Sequence, residues 1–152
     1  TLLLRLFSPD SHIIIFDVGA HRGQSAKRFR KLFKNAKIFS FEPFPSAFNK
    51  LKLLKIDNFR AFNFGFSDRT EMRNFCVNKG SQTNSLLPLT RSANAVWGGN
   101  DALSEIARIT CEFTETTAPD DESCKEGMVH CLAIYTCYYG SASPFVSFSR
   151  IV

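Results

Sequence analysis

Ile13-Ile14-Ile15-Phe16-Asp17-Val18-Gly19-Ala20-His21-Arg22-Gly23 is the stretch that decides how this chain is read. Four consecutive apolar residues have no polar face, so the segment suits a parallel strand buried on both sides. The strand ends in an acid and a turn bracketed by glycines. Such a turn lies at the carboxyl end of its strand, where open α/β sheets bind ligands. A second apolar run, Lys37-Ile38-Phe39-Ser40-Phe41, ends in Glu42. An acid there, about twenty residues past the glycine turn, is positioned to accept from both hydroxyls of a nucleoside ribose.

Working outward, residues 24–33 read as a helix, with Ala26, Phe29, Leu32 and Phe33 on one face and basic residues opposite. Pro43-Phe44-Pro45-Ser46 breaks the chain, and Ser46 is the expected N-cap of a helix over residues 47–55. A third strand is expected over residues 60–66, where Phe62, Phe64 and Phe66 alternate with smaller residues, and a further strand over 73–77. Strand, helix, strand, helix, strand is the βαβαβ half of a doubly wound fold. The expected class is therefore α/β, a Rossmann-like three-layer sandwich.

Beyond that half, residues 78–100 are polar and turn-rich, and a loop this long is usually functional or disordered. Trp97-Gly98-Gly99 within it reads as a packing turn, with a substrate lid as the alternative. A short helix is expected over residues 101–108, a strand over 109–114 and an acidic turn over 116–126. Residues 127–149 contain no Lys, Arg, Asp or Glu, although 129–139 suit a buried strand. This uncharged tail has the look of a truncated or frame-shifted end, and Thr1 in place of Met hints at a piece of a longer protein.

The 152 residues suit one domain, here a partial one, with residues 127–152 as an atypical tail. The net charge divides unevenly, at +9 over residues 1–80 and −4 over 81–152, which together make +5. A basic half raises a nucleic-acid role. No run interleaves the cations with exposed aromatics, however, so solvated helix faces are the preferred reading and no nucleic-acid partner is expected. The cysteines number five and none are spaced C-x-x-C, which suggests neither a disulfide framework nor a metal site. Reduced thiols and the lack of any long apolar run lead to a cytoplasmic expectation with no membrane span.

The turn discriminates between cofactor classes. Dinucleotide sites use G-x-G-x-x-G, so that a pyrophosphate can approach the backbone. Here the glycines are Gly19 and Gly23, with His21 and Arg22 between them, which is poor for NAD. Asp17 ahead of that spacing is the S-adenosylmethionine pattern, and Glu42 ending the second strand strengthens it. Each residue has a structural alternative. For Asp17 it is a cap on the turn, for Glu42 a solvated strand end and for Ser67-Asp68-Arg69-Thr70 an ordinary turn, and His21 reads as structural.

Phe16-Asp17-Val18-Gly19-Ala20-His21-Arg22-Gly23, Phe41-Glu42-Pro43-x-Pro45, Asn63-x-Gly65-x-Ser67-Asp68 and Asn84-Ser85-Leu86 resemble, in order, the motifs of the FkbM-type methyltransferases. The resemblance covers roughly residues 13–115. It implies a class I S-adenosylmethionine-dependent enzyme that O-methylates a hydroxyl of a small molecule or glycan. It also implies that Asp17, Gly19 and Gly23 line the methionine end of the cofactor, that Glu42 meets the ribose hydroxyls and Ser67 and Asp68 lie beside the adenine, with Ala20 and Pro43 also among the cofactor-binding residues. The family's fourth strand ends in an acid beside cofactor and acceptor. The matching stretch near residues 132–140 has none, and strands five to seven are not recognisable. No general base stands out. The rival expectations are a non-catalytic, cofactor-binding remnant, self-associating through an exposed third or fourth strand edge, and a basic nucleotide- or nucleic-acid-binding module.

Overall fold

The computed structural model describes residues 3–67, 69–80, 84, 105–115, 130–135 and 146–150. It is an α/β protein. A short helix α1 (Leu3–Leu6) leads into strand β1 (Ile13–Val18), helix α2 (Gln24–Leu32), strand β2 (Lys37–Phe41), helix α3 (Pro45–Leu51) and strand β3 (Phe59–Phe62). Five strands follow: β4 (Gly65–Ser67), β5 (Glu71–Asn78), β6 (Glu105–Glu115), β7 (His130–Tyr135) and β8 (Val146–Arg150). They form two sheets. The larger has the order β3-β2-β1-β7-β8 and the smaller β4-β6-β5.

In the larger sheet β3, β2, β1 and β7 run parallel, and β8 pairs antiparallel with β7. The continuous apolar run of β1 is explained by its central place. Ile13 and Ile15 point to one face, where they pack with Ala26, Phe29 and Phe33 of the α2 region, Ile38 of β2 and Leu3 of α1. Ile14 and Val18 point to the other face, against Phe39 and Phe41. Phe16, Phe62, Phe64 and Phe66 extend that second core, and Phe41 lies at its centre, 5.0 Å from the Phe62 ring and 4.7 Å from Phe66. Most of the second face is therefore ring against ring, and pairs of this kind contribute about 0.5–1.5 kcal/mol each beyond their area burial.

The end of α2 is closed by one side chain. The Arg30 guanidinium donates to the carbonyls of Phe33 and Lys34, of Ala36 at 2.5 Å, and of Asp57 at 2.6 Å. Phe33, Lys34 and Ala36 belong to the chain that leaves the helix, and Asp57 ties the approach to β3 to α2.

Three sequence expectations need correction. α3 begins at Pro45, which occupies the first turn, so Ser46 lies inside the helix and Phe44 is the capping residue. Proline suits that position because its missing N–H would be unpaired there anyway. The third strand is not continuous over residues 60–66 but breaks at Asn63. That side chain donates to the carbonyls of Glu42 at 2.8 Å and Pro43 at 3.2 Å, and the chain then enters the second sheet as β4. Residues 105–108 are strand rather than helix, because β6 pairs along its length with β5. Of the two edges expected, the fourth parallel strand is covered by β8, while the third, β3, ends the described sheet. The expected strand over residues 109–114 lies within β6, and that over 129–139 contains β7. The loop over residues 85–100 with its Trp97, and the turn at 116–126, lie outside the described residues.

Candidate functional site

The turn after β1 is built from left-handed backbone. Gly19 has φ 78°, His21 50° and Gly23 83°. Glycine adopts such angles freely, whereas histidine there is strained by about 1–3 kcal/mol and persists only where its surroundings hold it. Glu42 holds it. The His21 N–H donates to Glu42 Oε2 at 2.7 Å, and the Phe44 N–H donates to Glu42 Oε1 at 2.9 Å. The N–H groups of Gly19 and Ala20 both donate to the Phe41 carbonyl, at 2.9 and 3.0 Å. The turn is thus fastened to the carboxyl end of β2, the neighbouring strand.

Gly23 also has a packing role. A Cβ there would lie 2.2 Å from Leu54 Cδ1 and 3.0 Å from Leu51 Cδ1, so the absence of a side chain lets α3 and its extension close on the start of α2.

Asp17 is 0% exposed. Its Oδ2 accepts from the Ser25 hydroxyl at 2.6 Å and the Ser40 hydroxyl at 3.2 Å. It therefore clasps β1 to the first turn of α2 and to β2, which is more than capping a turn. Glu42 is 5% exposed, which excludes a solvated strand end. Burial pushes its carboxyl up from the ordinary range, the N–H donors of Phe44 and His21 pull it back, and the Asp17 carboxylate adds to the push. Burial lowers His21, and the positive charges of Arg22 and Lys50 lower it further against a hydrogen bond with Gln24. The imidazole beside the turn is therefore neutral at pH 7.

The structure brings Asp17, Gly19, Ala20, Gly23, Glu42 and Pro43 together through these bonds, with Asn63 holding the Glu42-Pro43 backbone from below. Ser67 ends β4 in the second sheet, where its hydroxyl accepts from Arg73 at 3.3 Å. Asp68 lies outside the described residues, as do Ser85 and Leu86. Asn84 does anchor, its side-chain oxygen accepting from the Asn78 N–H at 2.8 Å.

Sequence reasoning missed Ser25, Ser40 and Cys111. Cys111 lies in β6 and packs with Phe75 and Phe113, with Phe44 against that cluster. Burial pushes its thiol up to about 11, and the Glu42 carboxylate adds to the shift. The second sheet therefore adjoins the Glu42 end of the site. A cleft of about 270 Å³ lined by Lys37, Phe39, Ile56, Asn58, Phe59 and Arg60 lies at the amino ends of β2 and β3. That is the opposite end of the sheet from Glu42, and ligands of parallel sheets bind at the carboxyl end.

No group of three or more potential metal ligands exists among the described residues. No helix among them is long and apolar enough to cross a membrane. No protein-family model matches the chain, and neither a curated protein nor a solved structure matches it.

Proposed function

We propose that the chain binds S-adenosylmethionine in the turn after β1, on a Rossmann-like sheet of the class I methyltransferase type, and that its chemistry is O-methyl transfer to a hydroxyl of a small molecule or glycan. One observation carries this reading. β2 and β3 lie to one side of β1, β7 lies to the other, and all four are parallel. The strand order reverses at β1, and the crevice at such a reversal is where doubly wound sheets take their ligands. The turn from Gly19 to Gly23 leaves β1 at that point, and Glu42 ends the adjacent strand.

The residues present fit the cofactor. Each Glu42 oxygen accepts one backbone N–H, and each has a further lone pair. That leaves acceptors for the two neighbouring hydroxyls of a ribose. Asp17 acts in this reading through the clasp on Ser25 and Ser40, which fixes the turn that the methionine end would approach. S-adenosylmethionine supplies an already activated methyl group, so the chain's own contribution is to bind, orient and exclude water.

A second reading is a chain that holds the cofactor without transferring the methyl. β7 is the sequence His130-Cys131-Leu132-Ala133-Ile134-Tyr135, with Ile134 in register with Asp17. It carries no acid, and β8 beside it runs antiparallel.

Calorimetric titration with S-adenosylmethionine, S-adenosylhomocysteine and NADH tests both readings. The two sulfur nucleosides should bind and NADH should not. Preference for NADH, or no binding by either nucleoside, would overturn the cofactor assignment. Binding without methylation across a panel of hydroxylated acceptors would select the second reading.

A further inference from the structure

We propose that the helix side of the larger sheet is a docking surface for an anionic phospholipid bilayer. This inference does not depend on the cofactor reading. Lys27, Arg28 and Lys31 of α2 are exposed, as is Lys34 just beyond it. Lys50 of α3 and Lys52 and Lys55 after it are exposed as well. The two groups share one side. Leu51 and Leu54 approach Gly23 at the start of α2, and Arg30 reaches the Asp57 carbonyl.

Among the described residues none of these seven cations forms an ion pair, and the nearby Asp57 carboxylate acts on Arg30. Neither α2 nor α3 contains an acid. The ion pairs described are Arg69 and Arg73 with Glu71, and Arg108 with Glu105, all outside the helices. Lys27 and Lys31 stand one helical turn apart, an arrangement that destabilises a helix unless a counter-charge is supplied from outside.

Apolar side chains project from the same region. Leu53, between Lys52 and Lys55, is 73% exposed. Leu4 and Leu6 of α1 are exposed too, and α1 adjoins the end of α2 through the edge-on contact of Phe7 with Phe33. Cations that meet lipid phosphates around leucines that enter the acyl boundary are the two elements of interfacial binding. A single-stranded nucleic acid would instead need exposed rings between the cations. Phe29 and Phe33 are buried, and the half-buried Phe48 ring already lies under the Lys52 ammonium.

Co-sedimentation of the full chain with vesicles tests the proposal. The chain should pellet with mixed phosphatidylcholine–phosphatidylserine vesicles, stay in solution with phosphatidylcholine alone, and be released by high salt. Lys27→Glu combined with Lys31→Glu should weaken the binding by at least about tenfold. Leu53→Ser should weaken it several-fold, with an unchanged circular dichroism spectrum and melting temperature. Failure of the folded chain to pellet with the mixed vesicles, or equal pelleting with the neutral ones, would overturn the proposal. So would Leu53→Ser binding that is unchanged, which would mark the surface as a general polyanion site.

Discussion

Glu42→Gln is expected to weaken S-adenosylmethionine binding by at least about tenfold and to abolish its pH dependence in the acid range. The carboxylate can accept a charge-assisted bond from each ribose hydroxyl while keeping its bonds from His21 and Phe44. A carboxamide has one oxygen, so its NH2 must face either a backbone N–H or a hydroxyl oriented to donate. Losing one charged bond costs about 1.5–3 kcal/mol, which is the tenfold or more. Because burial raises the Glu42 carboxyl, it takes up a proton at a higher pH than a free glutamate. Affinity of the parent chain should therefore fall as the pH is lowered, starting above the range in which a free glutamate takes up its proton. Stability moves the other way. A carboxyl raised in the folded state contributes stability that is fully present below its unfolded value and is lost as pH rises through the folded one. Titrations at several pH values, with thermal melts alongside, check both signs. If the Gln variant kept the parent's pH profile, the titrating group would not be Glu42.

Gly23→Ala should lower stability by about 2–5 kcal/mol, a drop in Tm of roughly 5–15 °C. Two effects add. A left-handed backbone costs an L-residue about 1–2 kcal/mol, and Gly23 has φ 83°. The new Cβ also meets Leu54 Cδ1 at 2.2 Å and Leu51 Cδ1 at 3.0 Å, and overpacking of this kind typically costs about 1–3 kcal/mol. Leu54→Ala in the Gly23→Ala background separates them. Truncating Leu54 should relieve the clash but not the backbone strain, so the double variant should be less destabilised than the two single effects summed. Strict additivity in differential scanning calorimetry would show that α3 moves aside and the clash is not felt.

The first half of the fold was readable because its signals are local. The run from Ile13 is apolar on both faces, and β1 covers Ile13–Val18. The second run gives β2 at Lys37–Phe41, and the Ala26 and Phe29 face gives α2. Glycine at 19 and 23 suits the positive φ found there, but no residue type marks it at His21, where a distant carboxylate holds the backbone. Ser25 and Ser40 were invisible for a related reason. They meet Asp17 because β1 and β2 pair with Asp17 opposite Ser40, and registers of that kind are set by the assembled sheet. Glu105 to Arg108 read as helical in isolation, and pairing with β5 overrode that preference. The Asn63 break could not be read either, because its cause is the pair of carbonyls at Glu42 and Pro43.

The fastening of the turn to β2 has a consequence for how it moves. Loops ordinarily exchange their amide hydrogens through small local openings. Here the amides of Gly19, Ala20 and His21 are held by Phe41 and Glu42, residues some twenty positions further along the chain. Freeing them requires β1 and β2 to separate at that end, so these three amides should exchange as slowly as the strand interior, and the turn should behave kinetically as part of the sheet.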